Sequence, residues 1–170
     1  MGKNPSQFKG TQNPVETVSW NEATEFCKKV SQKTGKTVRL PTEAQWEYAC
    51  RAGTKTRFSF GGDAEDLGNY AWYDGNSDRA THPVGQKIPN DFALYDMLGN
   101  VWQWCADWSS EDYSEAKGTD PTGPASGAAR VLRGGCWNVG PQACRSACRG
   151  GNGPVGRNYY NGFRVVVDSE

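Results

Sequence analysis

Between Arg130 and Val167 the chain reads RVLRGGCWNVGPQACRSACRGGNGPVGRNYYNGFRVVV, and its middle, more than twenty residues long, has neither helical nor strand periodicity. The ends differ. Val131 and Leu132 before Gly134-Gly135, and Phe163, Val165 and Val167 after Gly162, are short β-branched or aromatic runs bounded by glycine, which predicts strands. Pro154 argues against a central strand between them. A loop of this length held between strands is either disordered or a working surface on a scaffold. The residue types favour a surface. Trp137, Tyr159 and Tyr160 offer large contact area at low entropy cost, and Asn138, Asn152, Asn158 and Asn161 supply adaptable hydrogen bonds.

A chain of 170 residues suffices for one good core and implies a single domain. Nineteen basic and nineteen acidic residues cancel, so no broad electrostatic footprint points to nucleic acid or an anionic membrane. Seven Trp, seven Tyr and six Phe set against 21 Gly and nine Pro suggest an irregular domain pinned by aromatic packing. No apolar run reaches membrane-spanning length and no signal-peptide core follows Met1, which leaves cell-surface display and cytoplasm both open. The six cysteines, at 27, 50, 105, 136, 144 and 148, make no zinc pattern, and Cys27 and Cys50 fall on apolar helical faces as small buried side chains. The single histidine, His82, precedes Pro83 without a local Ser, Asp or Cys companion and reads as structural.

From the start, residues 1–12 are polar and read as an N-terminal arm, with the domain proper at 13–170. Ser19-Trp-Asn-Glu22 is a capping box followed by Ala23, Phe26, Cys27 and Val30 on one helical face, which predicts a helix stopping near Gly35. Val38 to Leu40 is a brief apolar connector. Thr42-Glu-Ala-Gln45 is a second box; Trp46, Ala49 and Cys50 then share a face, and Gly53 is the expected cap. Trp102 and Trp104 share a face if 101–105 is extended. Residues 109–129 are a polar surface excursion.

Taken in order, RLPTEAQWEYACRAG at 39–53, NDFALYDMLGNVWQWCADW at 90–108, VLRGG at 131–135 and NGFRVV at 161–166 resemble the formylglycine-generating enzyme, or sulfatase-modifying factor, domain. The resemblance covers nearly the whole chain. It implies an α+β variant of the C-type-lectin fold: two short helices, a small twisted antiparallel sheet and extensive ordered coil. Family members usually carry a further segment before the position of Asn13, which leaves the pairing partner of the terminal strand open. Catalytic members resemble one another in a copper-binding cysteine pair that activates oxygen, chemistry that needs thiolates as soft ligands. Cys144 and Cys148 in CRSAC stand one residue too close for that pair. Counted back from Gly162-Phe163-Arg164, the second catalytic cysteine falls near Pro141, so both are read first as packing thiols and second as metal or redox groups.

The loop resembles another branch more closely. WNVGPQACRSACRGGNGPVGRNYYNGFR is similar to the variable region of proteins targeted by diversity-generating retroelements, in which adenine-directed mutagenesis diversifies Asn codons between fixed Trp, Arg, Pro and Gly-Phe-Arg positions. The resemblance implies a non-catalytic protein that recognises a protein or other macromolecule through residues 136–161. The expected contacts are Trp137, Asn138, Val139, Gly140, Asn152, Val155, Asn158, Tyr159, Tyr160 and Asn161, with Trp137 and Arg145 also suited to holding the loop. Arg133, Arg145, Arg149 and Arg164 flank this surface and are read as supports for loop carbonyls or carboxylates rather than as nucleic-acid contacts. The alternatives are a copper-dependent formylglycine-generating oxidase, and Tyr159 and Tyr160 as core aromatics. Asn69, Tyr70, Asn100, Val101 and Gln103 lie in motifs resembling calcium-supporting loops of some members. Gln103 stands where an acidic residue is common, so Asn69 and Asn100 are expected to cap turns first and to bind calcium second.

Overall fold

The computed structural model describes residues 3–110 and 118–168, so part of the 109–129 excursion lies outside the described residues. Helix α1 (Trp20–Thr34) starts at the Ser19–Glu22 capping box and ends at Gly35 in the left-handed conformation. Strand β1 (Val38–Arg39) replaces the expected connector, because it finds an antiparallel partner in β6 (Val166–Val167). Helix α2 (Glu43–Arg51) carries the second capping box. Its left-handed cap is Ala52, one residue before the expected Gly53, which also has positive φ. A third, one-turn helix, α3 (Leu67–Tyr70), follows the acidic loop. None of the helices described is long and apolar enough to cross a membrane.

The main sheet has four strands in the order β4-β3-β2-β5, formed by β2 (Trp102–Trp108), β3 (Arg130–Arg133), β4 (Arg149–Asn152) and β5 (Asn161–Gly162). The neighbours β3 and β2, and β4 and β3, are antiparallel, but β5 runs parallel to β2, with Asn161 beside Trp102 and Gly162 beside Gln103. The sheet is therefore mixed rather than wholly antiparallel. Its two central strands are covered on both faces. Alternation along β2 sends Trp104 to one side and Cys105 to the other, and along β3 it separates Leu132 from Val131. Trp104 and Leu132 join Ala23, Cys27, Val38 and Leu40 beneath α1, with Trp102 and Phe163 packed alongside. Cys105 and Val131 join Trp46, Phe58, Leu67, Met97, Leu98 and Cys144 under α2 and the coil. Full burial of each large side chain contributes about 2 kcal/mol, which is how two small clusters hold a chain so poor in regular structure.

The coil is fixed by backbone approach. Gly99 has φ +72° and donates its N–H to the Gly134 carbonyl, while the next amide, Asn100, donates to Trp72. A Cβ at Gly99 would stand 2.2 Å from the Trp72 carbonyl oxygen. Gly99→Ala combines left-handed strain with a backbone collision and is expected to cost about 2–4 kcal/mol in urea unfolding; an unchanged midpoint would contradict this packing.

Candidate ligand-binding surface

The long loop begins where β3 meets Gly134 and Gly135, both at positive φ. A Cβ on Gly135 would lie 2.8 Å from the Cys144 sulfur and 2.9 Å from the Ala143 carbonyl, so only glycine lets the chain pass over the 3₁₀ turn Pro141–Cys144. Beyond that turn the chain returns as β4, with Arg149 opposite Arg133. The loop, read as having no strand periodicity, nevertheless contains this edge strand, which ends before Pro154: residues 149–152, RGGN, are poor strand formers, and the ladder to β3 holds them extended.

The arginines differ in what they hold. Arg133 is fully buried and gives its guanidinium to the Cys148 carbonyl (2.5 Å), the Ser146 carbonyl (2.9 Å) and the Glu47 carboxylate, with Glu43 3.5 Å from Nε. Arg149 forks onto Glu43 at 2.6 and 2.7 Å and donates to the Ser110 carbonyl. Arg164 donates to Gln103 Oε1 (2.6 Å) and to the Tyr95 carbonyl (2.8 Å). Arg145 is exposed, and its Nε donates to the Gln142 carbonyl three residues back. The first two bind the loop to α2; Arg145 supports only its own turn.

The expected contact residues divide similarly. Trp137 is 7% exposed: its N–H donates to the Asn100 carbonyl, its carbonyl accepts from the Ser77 hydroxyl, and its ring lies 5.7 Å from Tyr159. It anchors the loop from beneath. Asn161 is fully buried in β5, because the parallel pairing with Trp102 turns it inward, which removes it from the surface. Val139 packs against the core, and Gly140 is half-buried. Asn138 is exposed and accepts from the Cys136 thiol (2.9 Å). Tyr159, 39% exposed, meets Tyr160 edge-on at 5.3 Å. Asn158 is half-buried and fixes the backbone through its carbonyl, which accepts from Thr17. Asn152 and Val155, the latter 75% exposed, lie on a separate turn where Asn21 donates to the Pro154 carbonyl and Arg157 pairs with Glu22.

Sequence reading missed Phe8. Residues 3–12, expected as an arm, are tied down: buried Glu16 accepts from the Phe8 amide and donates its own N–H to the Ser6 hydroxyl. The Phe8 ring meets Trp137 edge-on at 5.5 Å and Tyr159 at 6.5 Å. A lone aromatic in an otherwise polar stretch was the available signal.

All six cysteines are free thiols. Burial pushes Cys136 up to about 12 and Cys144 higher still, with the neighbouring Cys136 and Cys148 adding to the shift of Cys144. A soft metal bound here would have to displace these thiol protons, since its ligands are thiolates. For calcium, Asn100 Oδ1 already accepts from His82, Gln103 Oε1 accepts from Trp46 and Arg164, and the Asn69 carbonyl accepts from Ile88. Among the described residues no group of three His, Cys, Asp or Glu is placed to hold an ion.

Residues 1–169 match the family model of the sulfatase-modifying factor enzyme 1-like domain. The chain is 38% identical over 176 residues to the formylglycine-generating enzyme of Streptomyces coelicolor, covering 93% of this chain and 54% of that enzyme. It therefore spans about half the length of that relative. Among solved structures, Treponema denticola variable protein 1 has a TM-score of 0.92 and 35% identity over 97% of this chain and 77% of its own. PvdO from Pseudomonas aeruginosa has a TM-score of 0.86 and 32% identity over 95% of this chain and 64% of its own.

Arg133→Met leaves two loop carbonyls without their donor and Glu47 with Arg51 alone. It is expected to destabilise the protein by about 3–5 kcal/mol in denaturant unfolding; a cost below about 1 kcal/mol would show that the loop is held by other contacts.

Proposed function

The chain belongs to the sulfatase-modifying factor enzyme 1-like family, and from that premise we propose that it is a non-catalytic binding protein of the retroelement-variable type, recognising a protein or other macromolecule. The observation that carries this reading is the division of labour within the loop. Buried Arg133 and Trp137 and half-buried Arg149 fix its backbone, Asn138 and Val155 are exposed beyond that framework, and Tyr159 and Tyr160 lie at its edge, Tyr159 packing on Trp137 while remaining 39% exposed. Side chains on a backbone held from below can be exchanged without loss of the fold, which is what a diversified recognition surface requires. The fold shared with the Treponema denticola variable protein supports the same reading. The second reading, a formylglycine-generating oxidase, draws on the Streptomyces coelicolor enzyme; the spacing of Cys144 and Cys148, one residue too close for the catalytic pair, argues against it.

Tyr159 and Tyr160 give the test. Tyr159→Ala/Tyr160→Ala is expected to keep a cooperative melt while losing most capture when wild type and variant are panned against a displayed protein library, since a buried aromatic anchor contributes about 2 kcal/mol or more. Equal capture by both folded proteins would reject the tyrosines as the recognition centre. Oxidation of a cysteine-containing sulfatase peptide to the aldehyde by the copper-loaded protein and oxygen would reject the non-catalytic reading.

A further inference from the structure

The described arginines are mostly compensated. Arg39 pairs with Asp168, Arg51 with Glu47, Arg133 and Arg149 with the α2 carboxylates, and Arg157 with Glu22. Arg164 serves carbonyls, and Arg130 lies between the Trp20 and Trp108 rings at 3.9 and 3.5 Å from their centroids. Arg57, whose guanidinium lies 5.6 Å from the Phe58 ring centroid, and Arg145 are two exposed arginines that meet no carboxylate among the described residues. Both reach one residue: Arg57 Nη2 donates to the Gln142 side-chain oxygen and Arg145 Nε to the Gln142 carbonyl at 2.8 Å. Neither has a carboxylate partner among the described residues. Arg79 also lacks one, but stands on a different turn.

Two cations at one turn repel each other unless something anionic lies between them, and here the backbone keeps them in place. Ser146 donates its N–H to the Arg57 carbonyl (3.1 Å), and Cys148 donates to the Arg145 carbonyl (2.9 Å). Arg51 holds the Thr56 carbonyl from the other side. Two segments distant in sequence thus present guanidinium groups to one neutral residue, Gln142, through its side-chain and main-chain oxygens, on the 3₁₀ turn that follows Asn138, Val139 and Gly140. A guanidinium is a planar fork matched to a carboxylate, and arginine is enriched at protein interfaces.

We propose that Arg57 and Arg145 form an anionic subsite at the edge of the recognition surface, and that the partner protein presents an Asp or Glu cluster to it. This rests on the binding reading above. Protein carboxylates are favoured over nucleic acid for two reasons. The chain has no net charge, and Asp74 lies on the other side of the turn, its Oδ2 3.6 Å from where a Gly140 Cβ would be. That carboxylate repels a continuous polyanion and leaves room for a discrete acidic cluster.

The test titrates the intact protein with a hexaglutamate peptide, a hexaglutamine control and an oligothymidylate of equal charge, following the arginine Nε–H and backbone amide signals by NMR. Hexaglutamate is expected to move the signals of Arg57, Gln142 and Arg145, with affinity falling about tenfold in Arg57→Gln/Arg145→Gln and on raising salt from roughly 50 to 300 mM; hexaglutamine should leave them unmoved. If the double variant melts early, Arg145→Gln alone, which gives up only the bond within its own turn, carries the comparison with an expected loss of about threefold. Unchanged affinity in the folded variant, or shifts centred on other cations, overturns the proposal. Oligothymidylate binding these arginines as tightly as hexaglutamate also overturns it, in favour of a nucleic-acid contact. A hexaglutamate failure alongside tyrosine-dependent capture rejects the subsite alone, whereas loss of tyrosine dependence is failure of the binding reading itself.

Discussion

Arg133 sits in the middle of this protein with no solvent to hydrate it, and everything around it is arranged to meet its charge. Glu47 and Glu43 approach from α2, and the Ser146 and Cys148 carbonyls approach from the loop. A buried guanidinium left unpaired would cost several kcal/mol, so the four acceptors and the arginine must assemble together. That requirement couples the helix at one end of the sequence to the loop at the other, and Arg149 repeats the coupling through Glu43. The C-terminal end of β3 is thus a junction: its ladder carries β4, its last side chain carries the loop, and the two glycines after it admit the 3₁₀ turn.

The parts of the fold legible in the sequence were those with local causes. Both capping boxes, the Gly35 cap and the paired aromatics of β2 follow from nearest-neighbour chemistry, and all are where residue spacing placed them. What escaped depends on contacts between distant residues. The RGGN segment of β4 has almost no intrinsic strand preference and is extended because β3 offers it hydrogen bonds. The two-residue β5 runs parallel to β2 only because the loop before it crosses the sheet edge, which no local pattern records. Asn161 looks alike in sequence to the other loop amides, yet its strand register buries it, whereas Trp137 holds the loop as its residue type allowed. Phe8 reaches the same cluster through the buried Glu16 staple, across more than a hundred residues of chain.

A common physical logic joins the scaffold to its surface. Loop order usually requires either regular hydrogen bonding or side-chain packing. Here charged groups at the base supply much of the hydrogen bonding, and one aromatic cluster supplies packing near the tip. Thiols fit the same picture: Cys105, Cys136 and Cys144 fill space in the core, where burial raises the pKa of each.

The central claim is that the loop is an integral part of the cooperative fold and not a mobile appendage, and native-state amide hydrogen exchange tests it most directly. The account predicts that the amides of β4 and of the 3₁₀ turn exchange only through global unfolding, with the same free energy as those of β2. Exchange of β4 and the turn orders of magnitude faster than β2, as a separate low-stability unit, would contradict it.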